Sequence, residues 1–297
     1  MDPGLDHETE LNTHTPISYW KLDEGAGLTA ADQSGLSSGT YTNGVSLGGT
    51  GIPDGGSAAT FDGFNDYVSI AHNDAYLINE GTIQLWFKAD NPVADQALLD
   101  KNVLGAGTGG HTKIYLDASG HITAFLEENI DGTNLTVYSI DGGLVSADEW
   151  HQVVFTFGSG GMQLYLDGEL VGTNGYTGGL GDNSGPGPGN FEDIRLGAYN
   201  QDTGFFQGQI DEVAIIGAPL DSADVQNLYD AGLNIGETSV DTVDIVVDVN
   251  VVPTLSLPGG PLNFLEGDGP TVIDAAAAVS DPDSPDFDGG TLTVEFT

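Results

Sequence analysis

Two short acidic stretches hold the residue types that a hard cation needs. In the turn 62–66, Asp62, Gly63, Asn65 and Asp66 place two carboxylates and an amide directly before the alternating run Tyr67-Val68-Ser69-Ile70. Calcium takes about six to eight oxygen ligands, mostly carboxylates and loop carbonyls, and such a turn offers several from a short contour. The same residues also suit an Asx-turn, in which the Asp62 side chain bonds its own backbone and primes the strand. Further on, Asp281 and Asp283 stand two residues apart in a Ser-Asp-Pro-Asp-Ser string, and an extended backbone would aim both to one side. An acidic turn is the alternative there.

Other chemistries find less material. The six His residues form no His-Glu-x-x-His motif and no close pair, no Gly-x-Ser-x-Gly elbow occurs, and there is no Cys. His151 follows Trp150 in a strand pattern and reads as structural. Retaining glycosidases commonly use an alternating Glu-x-Asp-x-x-Glu strand, and the nearest string, 209–215, breaks it at Gln209 and Ala214. A lyase acting on uronates would need several cations, but Arg195 is the only Arg and the four Lys are scattered. The chain therefore reads as a non-enzyme. Trp20, Trp86 and Trp150 lie inside strand patterns and are expected to pack, as is Phe206. Aromatics in loops are the better platforms for a sugar ring: Tyr176, Phe191, Tyr199 and Phe205.

Charge sets the partners. The 297 residues include 45 acidic and 5 basic side chains, a formal net charge of −40. A phosphate backbone needs a Lys/Arg footprint, so nucleic acid is excluded, and anionic membranes are disfavoured. The acids either bind Ca²⁺ or keep the protein soluble in salty surroundings. A glycan partner should be neutral rather than anionic. No run of 18 apolar residues is present, so no membrane insertion is expected.

The elements that must position these groups are strands. Residues 17–22, 67–70, 81–89, 113–117, 122–128, 135–140, 150–157, 162–168, 193–199 and 208–216 are short and rich in β-branched and aromatic residues, with Gly, Asn, Asp and Ser between them. Their spacing predicts an all-β, two-sheet antiparallel sandwich. One helix is predicted over 218–232, capped by Asp221 or Ser222, with Val225, Leu228 and Tyr229 as its apolar stripe and Gly232 as its stop. Residues 1–16 are polar and read as a disordered lead-in, and they carry no signal-peptide pattern. Gly-dense loops at 104–111 and 176–190 are either flexible connections or a binding rim. After about residue 235 the composition shifts. Residues 236–252 read as a linker strand, and 253–297 as part of a second β-sandwich module, too short to bury a core of its own.

The strings Tyr19–Gly27, Asp32–Gly35, Phe61–Val68, Gly81–Ala89, Glu149–Phe157, Leu164–Val171 and Phe206–Ile215 follow one another in an order similar to that of the laminin-G-like, concanavalin A-like jelly rolls of bacterial secreted proteins. The resemblance covers about residues 17–235. It implies a jelly-roll sandwich, frequently with a structural Ca²⁺ between an early loop and the last long strand. Asp211 on that strand is then the expected carboxylate ligand, with the Asp62–Asp66 turn or the Asp32 loop supplying further oxygens. The adjacent Glu212 is expected to be a solvated strand residue. Residues 264–269 and 280–297 resemble a cadherin-like calcium-binding repeat of large adhesins. That likeness implies Glu266, Asp281 and Asp283 as calcium ligands, neighbouring repeats of the same protein as partners, and a secreted or cell-surface bacterial location reached by type I secretion. The function implied is calcium-dependent carbohydrate binding or adhesion, with a calcium-stiffened structural spacer as the alternative.

Overall fold

The alternating pattern folds as two antiparallel eight-stranded sheets. The computed structural model describes residues 6–54, 56–102, 109–129, 134–185, 187, 189–200, 202–233, 254–256, 258, 276 and 278–280. The chain divides into two units, Met1–Glu237 and Thr238–Thr297. In the second unit the described strands β17 (Thr254–Ser256) and β18 (Ala278–Ser280) pair antiparallel. Glu266, Asp281 and Asp283 lie outside the described residues.

Sheet 1 of the first unit runs in the order β14 (Glu169–Asn174), β13 (Met162–Leu166), β12 (His151–Phe157), β7 (Gly81–Ala89), β16 (Gln207–Ile216), β5 (Ser57–Asp62) and β4 (Ser46–Thr50), with β1 (Ser18–Trp20) also paired to β16. Sheet 2 runs β11 (Leu135–Leu144), β10 (His121–Asn129), β9 (His111–Leu116), β8 (Gln96–Lys101), β15 (Ile194–Leu196), β6 (Tyr67–Ile70), β3 (Gly39–Thr42) and β2 (Thr29–Ala30). Strand period puts alternate residues inward. Leu85, Phe87, Phe155 and Val213 from sheet 1 meet Ile114, Leu126, Val68 and Leu196 from sheet 2 in one core. Each such side chain contributes about 1.5–3 kcal/mol by leaving water.

Sheet 1 also buries apolar groups on its outer face. Tyr19, Val154, Tyr165, Ala214 and Ile216 pack there with Leu11 of helix α1 (His7–Thr13) and with Val225 and Leu228 of helix α2 (Ser222–Gly232). The α2 start is set by Asp221, whose side chain accepts from Ala223 N and Asp224 N at 2.9 and 3.0 Å. Helix α1 corrects the expectation of a disordered lead-in. Asp6 caps it by accepting from Thr9 N at 2.7 Å, and its i,i+4 pair His7 and Leu11 is fully buried. Two buried residues in a polar segment leave almost no periodic signal, so sequence alone does not reveal the docking.

Candidate functional site

The last long strand carries a β-bulge where it passes β7. The register steps from Asp211↔Trp86 to Ala214↔Gln84, three residues against two, and Glu212 sits in it at φ 52°. The bulge breaks alternation. Asp211 and Glu212 are consequently both buried, at 0% and 1% exposure, although Glu212 was expected to be solvated.

Glu212 is held by neighbours. Tyr19 donates its hydroxyl to Glu212 Oε2, and His7 Nδ1 lies 3.2 Å from the same oxygen. Burial, then the Glu212 charge, pushes the Tyr19 hydroxyl well above the usual phenol range. Trp86 Nε1 can only donate, so its 3.2 Å contact makes His7 Nε2 the acceptor and places the ring proton on Nδ1, facing Glu212. His7, Asp54 and Glu212 have atoms close enough together to suggest a metal triad. The Trp86 contact argues against it, because His7 then has no lone pair to offer on that side.

Asp211 is different. Its Oδ2 accepts from Ile52 N at 3.0 Å, but its Oδ1 is buried with no partner among the described residues. Burial, followed by the charges of Glu212, Asp23 and Asp54, pushes its carboxyl up to about 9. Asp54 is raised as well, again by burial and by Glu212. Around Asp211 the backbone approaches so closely that only glycine fits. A methyl group on Gly51 would lie 2.6 Å from Asp211 Oδ2 and 2.8 Å from the Gly56 carbonyl oxygen. One on Gly56 would lie 2.8 Å from Asp23 Oδ1. Asp23 also fixes the 51–57 loop, accepting from Ser57 N at 2.5 Å. An adjoining cavity of about 230 Å³ is lined by Asp6, Glu8, Lys21, Asp23, Asp54, Gly56 and Glu212. Lys21 reaches Glu8 at 3.2 Å and Asp23 at 3.1 Å, and it is the one cationic side chain in that lining. Oxygen donors, excess negative charge and an unmet carboxylate oxygen suit a hard divalent cation such as Ca²⁺.

The other expected ligands stand elsewhere. Asp62 pairs with Gln207 and Ala59 with Ile210, so Asp62 is four strand positions from Asp211, about 13 Å along the sheet. Asp62 Oδ1 accepts from Phe64 N at 2.8 Å, which is the Asx-turn alternative, and Asp66 Oδ2 accepts from Asp62 N at 3.2 Å. Asp66 Oδ1 is buried without a partner among the described residues, and burial raises that carboxyl. Asp32 spends both oxygens on backbone, taking Tyr19 N and Ser34 N on Oδ1 and Leu36 N and Ser37 N on Oδ2 at 2.8–3.1 Å. It organises the 32–37 loop. Sequence reasoning missed Asp23, Asp54 and the two glycines, although Asp23 lies in the string Tyr19–Gly27 and Asp54 stands between Gly51 and Gly56.

Of the aromatics, Trp20, Trp86 and Phe206 are fully buried. Trp150 is half-buried with Lys88 Nζ 5.4 Å from its ring centroid. Phe191 is 47% exposed, its ring 5.1 Å from His72. Tyr176 stacks flat on Tyr138 at 4.0 Å, so one of its faces is taken. Phe205 is half-buried. Tyr199 is buried, gives its hydroxyl to Asp95 and lies under Lys113 Nζ at 4.1 Å. His151 joins Asp167 Oδ2 at 2.7 Å and Ser146 Oγ at 2.8 Å, a triad-like row. Ser146 Oγ also lies 2.5 Å from Glu149 Oε2, and one hydroxyl proton cannot serve both acceptors. The shorter contact takes it, which makes the row a structural brace.

Residues 61–226, more than half of the chain, match the Laminin G 3 family, described as the concanavalin A-like lectin/glucanases superfamily. No curated protein matches. Among solved structures, the binding domain of botulinum neurotoxin serotype D is similar at TM-score 0.54 and 16% identity, covering 73% of this chain and 51% of that one. Domain 4 of an extracellular GH43 arabinanase from Geobacillus stearothermophilus, in complex with arabinotriose, is similar at 0.51 and 20%, covering 72% and 98%. The binding domain of Paraclostridial Mosquitocidal Protein 1 gives 0.53 and 15%, covering 72% and 51%. The chain thus spans about half the length of the toxin binding domains it matches. At these identities the likeness speaks for the fold.

Proposed function

Since the chain belongs to the Laminin G 3 family of concanavalin A-like lectins and glucanases, we propose that it is a non-catalytic carbohydrate-binding or adhesion module whose fold is braced by Ca²⁺. The carrying observation is Asp211 Oδ1, buried and unpartnered beside Asp23 and Asp54. A buried polar atom without a partner is rare in a native fold, and a cation supplies the missing one. Asp211 would ligate the ion, with Asp23 and Asp54 adding negative charge nearby. When bound, it supplies positive charge to a cluster that Lys21 balances only in part. The ion's work is to fix the 51–57 loop against β16.

The carbohydrate part draws on the family and on the arabinanase domain that was crystallised with arabinotriose. The net charge of −40 favours a neutral glycan. Location at the bacterial surface, export by type I secretion and work beside cadherin-like repeats of a large adhesin belong to the same proposal. A glycan array with and without chelator tests it. Glycan binding, together with a melting temperature that falls on chelation, is the expected outcome. A chelator-sensitive melting temperature without any glycan signal would instead make the chain a structural spacer. Saturating Ca²⁺ at about 100 times its Kd should stabilise the fold by about 2.7 kcal/mol. Asp211→Asn should remove most of that gain, and a melting temperature indifferent to EDTA would remove calcium from the account.

A further inference from the structure

Helix α1 has settled where its charge opposes it. The segment 6–13 carries Asp6, Glu8 and Glu10 and no Lys or Arg. It nevertheless walls a cavity that is itself acidic. Asp6 and Glu8 line one side, with Asp23 after β1, Asp54 of the 51–57 loop and Glu212 of β16 around them, and Lys21 is the only ammonium among these five carboxylates. That ammonium is already shared between Glu8 and Asp23, at 3.2 and 3.1 Å. Like charges gathered in a partly desolvated space repel more strongly than they do in open water.

The attachments that resist this repulsion are few. Seven residues are too short for a stable isolated helix in water, so α1 stays helical only while it is docked. Its two buried side chains are His7 and Leu11. Leu11 joins the apolar cluster of Tyr19, Ala214 and Leu228. His7 sits between Glu212 Oε2 and the Trp86 indole nitrogen, 3.2 Å from each. Thr15, at φ 49°, turns the chain out of α1, and pairing with sheet 1 resumes where Ile17 N donates to Ile215 O at 2.7 Å. Glu212, which holds His7, is the chain neighbour of Asp211, so the helix and the cation site share one wall.

We propose that α1 is a cation-dependent clasp: a divalent cation held at Asp211 lets the helix close over the cavity, and removal of the ion releases residues 6–14 from sheet 1. The proposal rests on the calcium reading above and gives that site a regulated element. The ion offsets the repulsion among the gathered carboxylates. The docked helix in turn adds Asp6 and Glu8 to the field that attracts the ion. The coupling is reciprocal, each partner raising the other's affinity by the same factor. Release takes away the acceptor of the Trp86 indole N–H. Helix α2 stays in place, because it keeps its own cap at Asp221 and its own buried residues Val225 and Leu228.

Amide hydrogen exchange on the full chain tests the clasp, at fixed ionic strength with either Ca²⁺ or EDTA, while calorimetry measures Ca²⁺ binding in parallel. Glu10 N and His14 N, which donate to Asp6 O and Leu11 O, should exchange about tenfold faster in EDTA. Val225 N and Leu233 N of α2 should exchange as slowly as before. Sodium chloride at about 1 M shortens the Debye length to about 3 Å, and it should restore much of the α1 protection in EDTA. His7→Ala should leave Glu10 N and His14 N fast in both buffers, with α2 still protected, and should weaken Ca²⁺ binding by up to about tenfold. Ca²⁺ binding with unchanged exchange in α1 would overturn the clasp and leave the calcium brace standing. Fast exchange of α1 in both buffers in the parent would overturn it as well. An absence of calorimetric Ca²⁺ binding would remove the brace and the clasp together.

Discussion

Polar side chains are buried on both outer faces of the sandwich, but the two faces satisfy them differently. On sheet 1, Thr82 Oγ1 donates to Ala218 O at 2.8 Å and accepts from Leu220 N at 2.9 Å, while Trp86 Nε1 donates to His7. Helix α1 and the segment that leads into α2 thus act as both cover and hydrogen-bond partners. Among the described residues of its strands, Gln152 Oε1 and Asp211 Oδ1 are unmet, and the second is the proposed cation ligand. On sheet 2 the ammonium of Lys113 rests on rings, and Asp100 is buried by accepting from Asn200 N, its Oδ1 without a partner among the described residues. The same strand architecture is therefore covered by helices on one side and by the turn that carries Tyr199 and Asn200 on the other. The difference comes from the two segments that flank the strands in the chain, a capped amphipathic one at 221–232 and a short capped one at 6–13.

The strongest way to break this contrast is to remove an aromatic from each face. Trp86 is fully buried, stacks on Tyr229 at 5.6 Å and 8°, and packs against Gly232 of α2. Trp86→Ala should cost about 3–5 kcal/mol in urea unfolding. Tyr115, half-buried on sheet 2, should cost about 1–2 kcal/mol on the same change. Equal losses would mean that the helices seal nothing that sheet 2 lacks.

A smaller effect separates carboxylates that build the fold from the one proposed to ligate an ion. Asp32→Ala strands four backbone N–H groups and should destabilise the fold by about 3 kcal/mol, with calcium affinity unchanged. A fall in calcium affinity matching that of Asp211→Asn would return Asp32 to the cation site.

The strands and α2 were legible because both rest on periodicity, and Asp221 and Gly232 mark the helix ends in the sequence itself. Asp211 could be singled out by its place on the last long strand. Its partners could not. A bulge at Glu212 turns two adjacent carboxylates to one side, which alternation forbids, and the 51–57 loop reaches β16 across about 150 residues of chain. The Asp62–Asp66 and Asp32 turns look like ligand loops because an Asx-turn, a loop hub and a calcium loop use the same residue types. Only knowing which N–H groups already occupy the oxygens tells them apart. The cross-strand row Arg195, Asp100, Lys113 and Phe125 of sheet 2 was illegible for a related reason, since it depends on strand register and on β15 joining three consecutive strands from about 70 residues further on.

The finest distinction between the faces is electrostatic. Burial pushes the Asp100 carboxyl up to about 7, against 3.8 in an unfolded chain, although Asn200 N and Lys113 pull the other way. Between those values the folded protein keeps a proton that the unfolded chain has released, so this group's contribution to stability falls as pH rises from about 4 to about 7 and then levels. Its chain neighbour Lys101 is pushed down from 10.5 to about 7 by burial, so its contribution rises over the range above pH 7. Asp100→Asn keeps an acceptor for Asn200 N and removes only the lower limb. The variant should therefore gain several degrees in melting temperature on the parent between pH 4.5 and pH 7, with the two curves parallel above. A constant offset across the whole range would show that Asp100 is already ionised at pH 4.5. Its unmet oxygen would then be a permanent charge held by Lys113 and Arg195.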